Sequence, residues 1–285
     1  MKALILSFLL FTTTLVSAQD NSKRIDTIHS KILAEDRYLW VRLPGSAKTS
    51  AKRYPVIYLL DGEIFFDEAI NILDRINKES GQAASREMIV VGIDNLWQRY
   101  RDYSPSHITS SPWVDSYSAS ITGGGDQFIS FLEKEVFPHI NATCPSSPIR
   151  ILIGHSMGGL ITMDILLKHH ELFSYYAAID PSMWWDNEKL LKESKAILAD
   201  KTFNNISLFL AAANTMDKNM NVEQIRKDTS TKTALIRPSF TLLDHIKANK
   251  QNKLRFEWNF YKDYHHMTVP QPAIYDALKF FFKTL

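Results

Sequence analysis

The chain has 285 residues, with 33 basic and 31 acidic side chains, a formal net charge of +2 and an apolar content of 45%. That balance suits a domain standing on a hydrophobic core and excludes the strongly basic surface that non-specific nucleic-acid binding requires. Cys144 is the only cysteine, which excludes an intramolecular disulfide.

Met1-Lys2 precedes an apolar run from Ala3 to Val16, and Ser17-Ala18-Gln19-Asp20 follows. A basic start, a short apolar stretch and small residues near its end describe a secretory signal peptide over residues 1–19. The run falls short of the roughly 20 residues of a membrane-spanning helix. The expectation is therefore a cleaved segment that leaves no stable membrane anchor, and a periplasmic or secreted mature protein. Residues 20–285 read as one domain.

Two strands are expected near Ile25–Leu33 and Arg37–Leu43, turning at Ala34-Glu35-Asp36. After a charged connector, Pro55-Val56-Ile57-Tyr58-Leu59-Leu60 is a nearly continuous apolar run, as for a strand covered on both faces. Asp61-Gly62-Glu63 ends it, and Ile64 to Asn77 carries a helical pattern. Met88–Ile93 is a second buried strand. The segment from Asp94 to Gly125 lacks periodicity but is rich in Trp97, Tyr100, Tyr103, Trp113 and Tyr117; long aromatic loops in compact domains are usually functional. Asp126 to Ile140 is an amphipathic helix.

Ile149 to Ile153 has strand character and passes through Gly154-His155-Ser156-Met157-Gly158-Gly159 into the helical run Leu160–Lys168. This strand–turn–helix context is what a G-x-S-x-G nucleophile turn needs. A Cβ at Gly154 or Gly158 is expected to press on the neighbouring strand or helix. Tyr175–Asp180 and Asn205–Ala212 are further strands, the first leading into Pro181-Ser182-Met183-Trp184-Trp185 and the second into Asn214–Asp217. Lys218 to Lys250 reads as largely helical, Leu254–Phe260 as the last strand, and Ile274–Leu285 as a closing helix. Strands alternating with helices imply an α/β fold with a mostly parallel central sheet and helices on both faces, its ligand site beyond the strand C-termini.

A serine hydroxyl needs a neighbouring base to become a nucleophile. In the chain order Ser…Asp/Glu…His, the base follows the last strand, where His265 and His266 stand. His266 is preferred, because the segment after it anchors it to the closing helix. His155, beside Ser156 in sequence, is expected to point away. The acid is expected after the strand ending at Ala212, with Asp217 preferred over Glu223 and Asp228, or with a dyad as the remaining option. The oxyanion donors are the backbone N–H of Met157 and one N–H from the turn after the third strand, at Gly62 or Glu63.

With those residues placed, the chain resembles the esterase family of α/β hydrolases that includes enterochelin esterases, esterase D and feruloyl esterases. The resemblance runs from about Arg37 to the C-terminus. It rests on Tyr58–Gly62, on Val91-Gly92-Ile93 followed by Arg99–Pro105, on Gly154–Gly159, on Pro181–Trp185 and on His266–Pro270. It implies an α/β-hydrolase fold and serine ester hydrolysis through Ser156 and His266, with neither metal nor organic cofactor. Met267 and Thr268 depart from the glycine and serine that often follow the family's histidine. Arg99, Trp113, Trp184 and Trp185 are the expected substrate-binding residues, and they suit a small-molecule or glycan-linked ester such as a feruloyl, acetyl or siderophore ester. The alternatives are acyl transfer by the same residues, or a catalytically silent glycan-binding domain.

Overall fold

Alternation within the strands builds two cores at once. In the third strand, β3 (Tyr54–Leu60), the residues Tyr54, Val56, Tyr58 and Leu60 enter one core while Ile57 and Leu59 enter the other. Such a strand is buried on both faces, as its unbroken apolar run requires. The computed structural model describes residues 23–79, 81, 86–95, 97–216 and 220–285. The signal segment expected at 1–19 lies outside the described residues.

Among the described residues, eight strands form one sheet: β1 (Lys23–Ser30), β2 (Glu35–Arg42), β3, β4 (Ile89–Ile93), β5 (Ser146–His155), β6 (Tyr175–Ile179), β7 (Ser207–Ala213) and β8 (Arg255–Tyr261). Their order is β1-β2-β4-β3-β5-β6-β7-β8. The β1–β2 hairpin pairs antiparallel within itself and antiparallel to β4, and every pairing from β4 to β8 is parallel. The expected α/β architecture is therefore present. The chain enters the parallel part of the sheet on β3, between β4 and β5, and winds outward from there.

Each face is covered by helices. On one lie Gly62–Glu79 and Pro270–Phe281, and on the other Met157–Lys168 and Trp185–Asp200. Helix Gly62–Glu79 buries Phe65, Phe66, Ala69, Ile70, Ile72, Leu73 and Ile76, the stripe that 3.6-residue periodicity places on one side. Helix Met157–Lys168 buries every residue from Met157 to Leu167, most of them apolar, so it is central. Crossing Gly62–Glu79 over the sheet brings Gly62 so close to Gly92 that a Cβ there would sit 2.5 Å from the Gly92 carbonyl carbon. Only glycine allows that approach.

One expected element differs and one helix is additional. The long helix expected over 218–250 is instead two helices, Val222–Lys227 and Arg237–Ala248, with a 3₁₀ turn at Thr231–Thr233 between them. Asp228 and Ser230 side chains bond to local backbone there, offering the chain an alternative to helix. Pro238 then opens the second helix from its first turn. The helix Trp185–Asp200 carries too weak an apolar pattern to be expected; it buries only Trp185, Leu190, Leu191, Ser194 and Leu198.

Candidate active site

The parallel strands deliver their C-terminal ends to one edge of the sheet, and the reactive side chains meet there. β5 ends at His155, and Ser156 follows at φ 60°, ψ −118°, a conformation outside the ordinary regions for an L-residue. The surroundings hold it there. Ser156 N–H donates to Ile179 O at 3.0 Å, and Ser156 O accepts from Leu160 N–H at 2.9 Å and from Ser182 N–H at 3.1 Å. A Cβ on Gly154 would lie 2.2 Å from Gly158 O, so that glycine is obligatory. Gly158 is not crowded as expected: a Cβ there would meet Asp61 and Leu60 at ordinary distances of 3.4–3.6 Å. The tighter position is Gly159, whose Cβ would stand 2.9 Å from Pro181 Cα.

His266 comes from the loop after β8. Its Nε2 lies 2.9 Å from Ser156 Oγ, and its Nδ1 lies 2.6 Å from Asp180 Oδ2. With the ring proton on Nδ1, the imidazole donates to the carboxylate and accepts from the serine hydroxyl, the tautomer a base in this position needs. Thr268 builds the turn that carries it: its Oγ1 accepts His265 N–H at 3.1 Å, and Thr268 N–H and Val269 N–H donate to His265 O. Met267 is exposed. The departures at Met267 and Thr268 therefore leave the histidine loop intact. His265, the competing base, is exposed beside it.

The carboxylate facing His266 belongs to Asp180, at the end of β6, not to a residue after β7. Asp180 is buried at φ 43°; its N–H donates to Ala211 O at 2.8 Å and its Oδ1 accepts Ala213 N–H at 3.0 Å. The last N–H of β7 thus fixes one carboxylate oxygen and leaves the other for the imidazole. Asp217 lies outside the described residues. Glu223 is exposed and paired with Lys227 on its own helix, and Asp228 is bound to Ser230. The end of β7 instead ties down the histidine loop, since Asn214 N–H donates to Tyr264 O at 2.8 Å and Asn214 Nδ2 to Lys262 O at 2.9 Å.

The oxyanion candidates come from two turns. Met157 is the first residue of its helix, where an N–H has no intrahelical acceptor. In the other turn, Asp61 at φ 53° leads the chain from β3 into helix Gly62–Glu79. Glu63 has its Oε2 on Asn95 N–H at 3.2 Å, and burial pushes its carboxyl up to about 6.

Arg99 is engaged within the protein. Its guanidinium holds both carboxylate oxygens of buried Asp61, at 3.0 and 3.2 Å, and donates to His155 O at 3.1 Å. It therefore ties the turn after β3 to the turn after β5. Burial raises the Asp61 carboxyl, and Arg99 opposes that rise. Arg101 is likewise engaged, by Glu35 and Asp102.

The tryptophans divide. Trp113 and Trp184 meet edge to face at 5.2 Å, at a cavity of about 590 Å³ also lined by His107, Ile108, Ser111 and Asp186. Trp185 is buried to 2% exposure, donates its Nε1–H to Ser106 O at 3.1 Å and packs near Tyr100. It belongs to the core, where a Trp N–H must find a partner, and not to a binding surface. Two site residues escape a reading of the sequence. Ser182 places Oγ 3.5 Å from Ser156 Oγ. Asp180 directly precedes the Pro181–Trp185 motif at a strand end, and that position is the signal that could identify it.

The chain is similar to several known proteins. A family model described as "Putative esterase" matches residues 30–267. A triacetylfusarinine C siderophore esterase of Aspergillus fumigatus is 30% identical over 149 residues, 52% of this chain and 50% of that protein. The ferri-bacillibactin esterase BesA of Bacillus subtilis is 27% identical over 247 residues, 80% of this chain and 78% of that one. The chain thus spans about half the length of the first of these relatives and more of the second. Among solved structures, an IroE-like serine hydrolase from Shewanella oneidensis superposes with a TM-score of 0.79 at 29% identity, covering 92% of this chain and 80% of that one. With most of its length matched by one family model, the chain belongs to that esterase family.

Proposed function

We propose that this protein is a serine carboxylic-ester hydrolase acting on siderophore-type esters. The observation that carries the reading is the line Ser156 Oγ–His266 Nε2 at 2.9 Å and His266 Nδ1–Asp180 Oδ2 at 2.6 Å. Ser156 attacks the acyl carbon while His266 takes its proton, and Asp180 steadies the imidazolium that results. The N–H of Met157 and one from Gly62 or Glu63 receive the developing oxyanion; one such donor is typically worth about 10²–10³ in turnover. His266 then protonates the leaving alcohol, and water deprotonated by the same ring releases the acid. The siderophore assignment draws on the relatives named above, and the Trp113–Trp184 corner supplies a surface for the substrate's acyl or ring portion. The apolar segment Ala3–Val16 supports export, and no helix among the described residues is long and apolar enough to cross a membrane.

The test is a panel of hydroxamate and catecholate siderophore esters beside feruloyl and acetyl-xylan esters, followed by product analysis with and without an added alcohol. Hydrolysis of a siderophore ester at kcat/KM at least about tenfold above the plant-polymer esters is expected, such a ratio being about 1.4 kcal/mol of transition-state discrimination. A dominant ester product in the presence of alcohol would identify an acyltransferase instead. The tryptophans separate in the same assays. Trp185→Ala should cost about 3–5 kcal/mol of stability, as for a large core side chain. Trp113→Ala should leave denaturant midpoints nearly unchanged and raise KM several-fold. Equal effects from both would remove Trp113 from the binding surface.

A further inference from the structure

His155 is a buried titratable group at the site that the proposed chemistry leaves unused. It is 5% exposed, and its Nε2 has no hydrogen-bond partner. It does not point clear of the site: its ring centroid lies 4.5 Å from that of His266, with the planes inclined at 40°. Behind it, the Phe65 ring meets it edge-on at 5.8 Å. Phe65, His155 and His266 therefore form one contiguous row of rings, edge-on and then tilted, from the first turns of helix Gly62–Glu79, through the end of β5, to the histidine loop. We propose that His155 is a positioning residue, a buried ring packed against the His266 imidazole that keeps it in line between Ser156 and Asp180.

The ring contact meets a specific need. His266 is 37% exposed and is carried by a loop, so its two hydrogen bonds alone would leave the ring free to tilt about their common line. A buried ring packed 4.5 Å away, centroid to centroid, restricts that freedom. It must also stay neutral, because His266 becomes a cation in mid-reaction and a second cation beside it would oppose that step. Burial, reinforced by His266 and Arg99, pushes His155 down to about 3. The charged groups around the pair agree with this division. Asp180 faces His266 from β6, whereas Arg99, neutralised by Asp61 from the end of β3, stands on the His155 side. Phe65 and Ser156 bring no formal charge.

The inference rests on His266 being the base, and the experiment separates the two claims. Wild-type, His155→Phe and His155→Ala proteins are compared by kcat, KM and the pH dependence of kcat/KM on an aryl ester, and by NMR titration of the His266 ring. A base misplaced by about 1 Å costs on the order of 10²-fold, so His155→Ala should lower kcat by about 10- to 100-fold with KM within about threefold. Its acidic limb and the His266 titration should both move to higher pH, because water then solvates the imidazolium. His155→Phe keeps the ring and should restore most of kcat and the wild-type limb. An alanine variant with unchanged kcat and limb overturns the proposal, as does a phenylalanine variant no better than alanine. Should alanine fail to fold, phenylalanine decides alone: near-wild-type turnover upholds the proposal, and lost turnover at an unchanged melting temperature overturns it. A wild-type protein without esterase activity removes the hydrolase reading, while the NMR titration still reports whether His155 governs the His266 ring.

Discussion

Ser156→Ala and His266→Ala are each expected to lower kcat on an activated ester by about 10⁴–10⁶, with melting temperatures close to that of the parent. The size follows from how the two groups act. A hydroxyl without a base is a weak nucleophile, and a base without the hydroxyl has nothing to activate, so each removal forfeits the whole covalent route. The double variant should therefore be no slower than either single one. What survives in all three is the oxyanion donors and substrate binding, worth roughly 10³–10⁴ over water. Stability should hold because neither side chain fills the core. Ser156 is half-buried at the apex of the turn, and His266 is partly exposed; the strained φ of 60° at Ser156 is a backbone property that alanine inherits unchanged. Ser182 is the instructive control. Its hydroxyl lies 3.5 Å from that of Ser156, and its N–H braces Ser156 O, but His266 contacts only Ser156 and Asp180 among the hydrogen-bonded side chains described. Ser182→Ala should cost less than about tenfold, since a nearby hydroxyl without a base is only a solvating group. Kinetics with a nitrophenyl ester and fluorophosphonate labelling check all four variants; labelling that persists in Ser156→Ala would place the nucleophile elsewhere.

The parts of this protein visible in its sequence are those set by local rules. Continuous apolar runs at Tyr54–Leu60 and Ile89–Ile93 signal strands buried on both faces, and the Gly154–Gly159 turn demands a strand before it and a helix after it. From those the parallel sheet and the meeting of Ser156 with the last loop follow. What stays hidden depends on contacts between segments far apart in the chain. Arg99 looks like a free cation until Asp61, 38 residues away, is found gripping it. Trp184 and Trp185 are indistinguishable in sequence, although one faces a cavity and the other is sealed over Ser106 O. Adjacency in sequence turns His155 away from Ser156, as neighbouring side chains on a strand do, yet that direction brings it against His266. The helix over 218–250 fails for a local reason, the competition of Asp228 and Ser230 side chains for backbone groups.

The acid is the sharpest case, and it carries the second large prediction. Asp180→Asn should lower kcat by about 10³–10⁴, the scale seen when a buried acid facing a catalytic histidine becomes an amide. Asparagine at this site can still accept Ala213 N–H through Oδ1, so the β7 anchor survives. Its amide NH₂ would then face His266 Nδ1, and a donor there favours the tautomer with the proton on Nε2. That nitrogen can no longer accept from Ser156, and the imidazolium also loses its countercharge. Both losses fall on kcat and neither on substrate binding, so KM should move little. Asp180→Ala separates activity from stability, because it leaves the buried Ala213 N–H unpaired as well; about 1–3 kcal/mol of stability should disappear along with turnover. Asp217→Asn, Glu223→Gln and Asp228→Asn should each leave kcat within about twofold, since one carboxylate is all that His266 Nδ1 can engage and Asp180 already occupies that place. A collapse of activity in Asp217→Asn with Asp180→Asn intact would return the acid to the segment after β7. The geometry argues against that exchange: β7 spends its last N–H on holding Asp180 and the residue after it on holding the histidine loop, so its end serves as the brace for an acid that the neighbouring strand supplies.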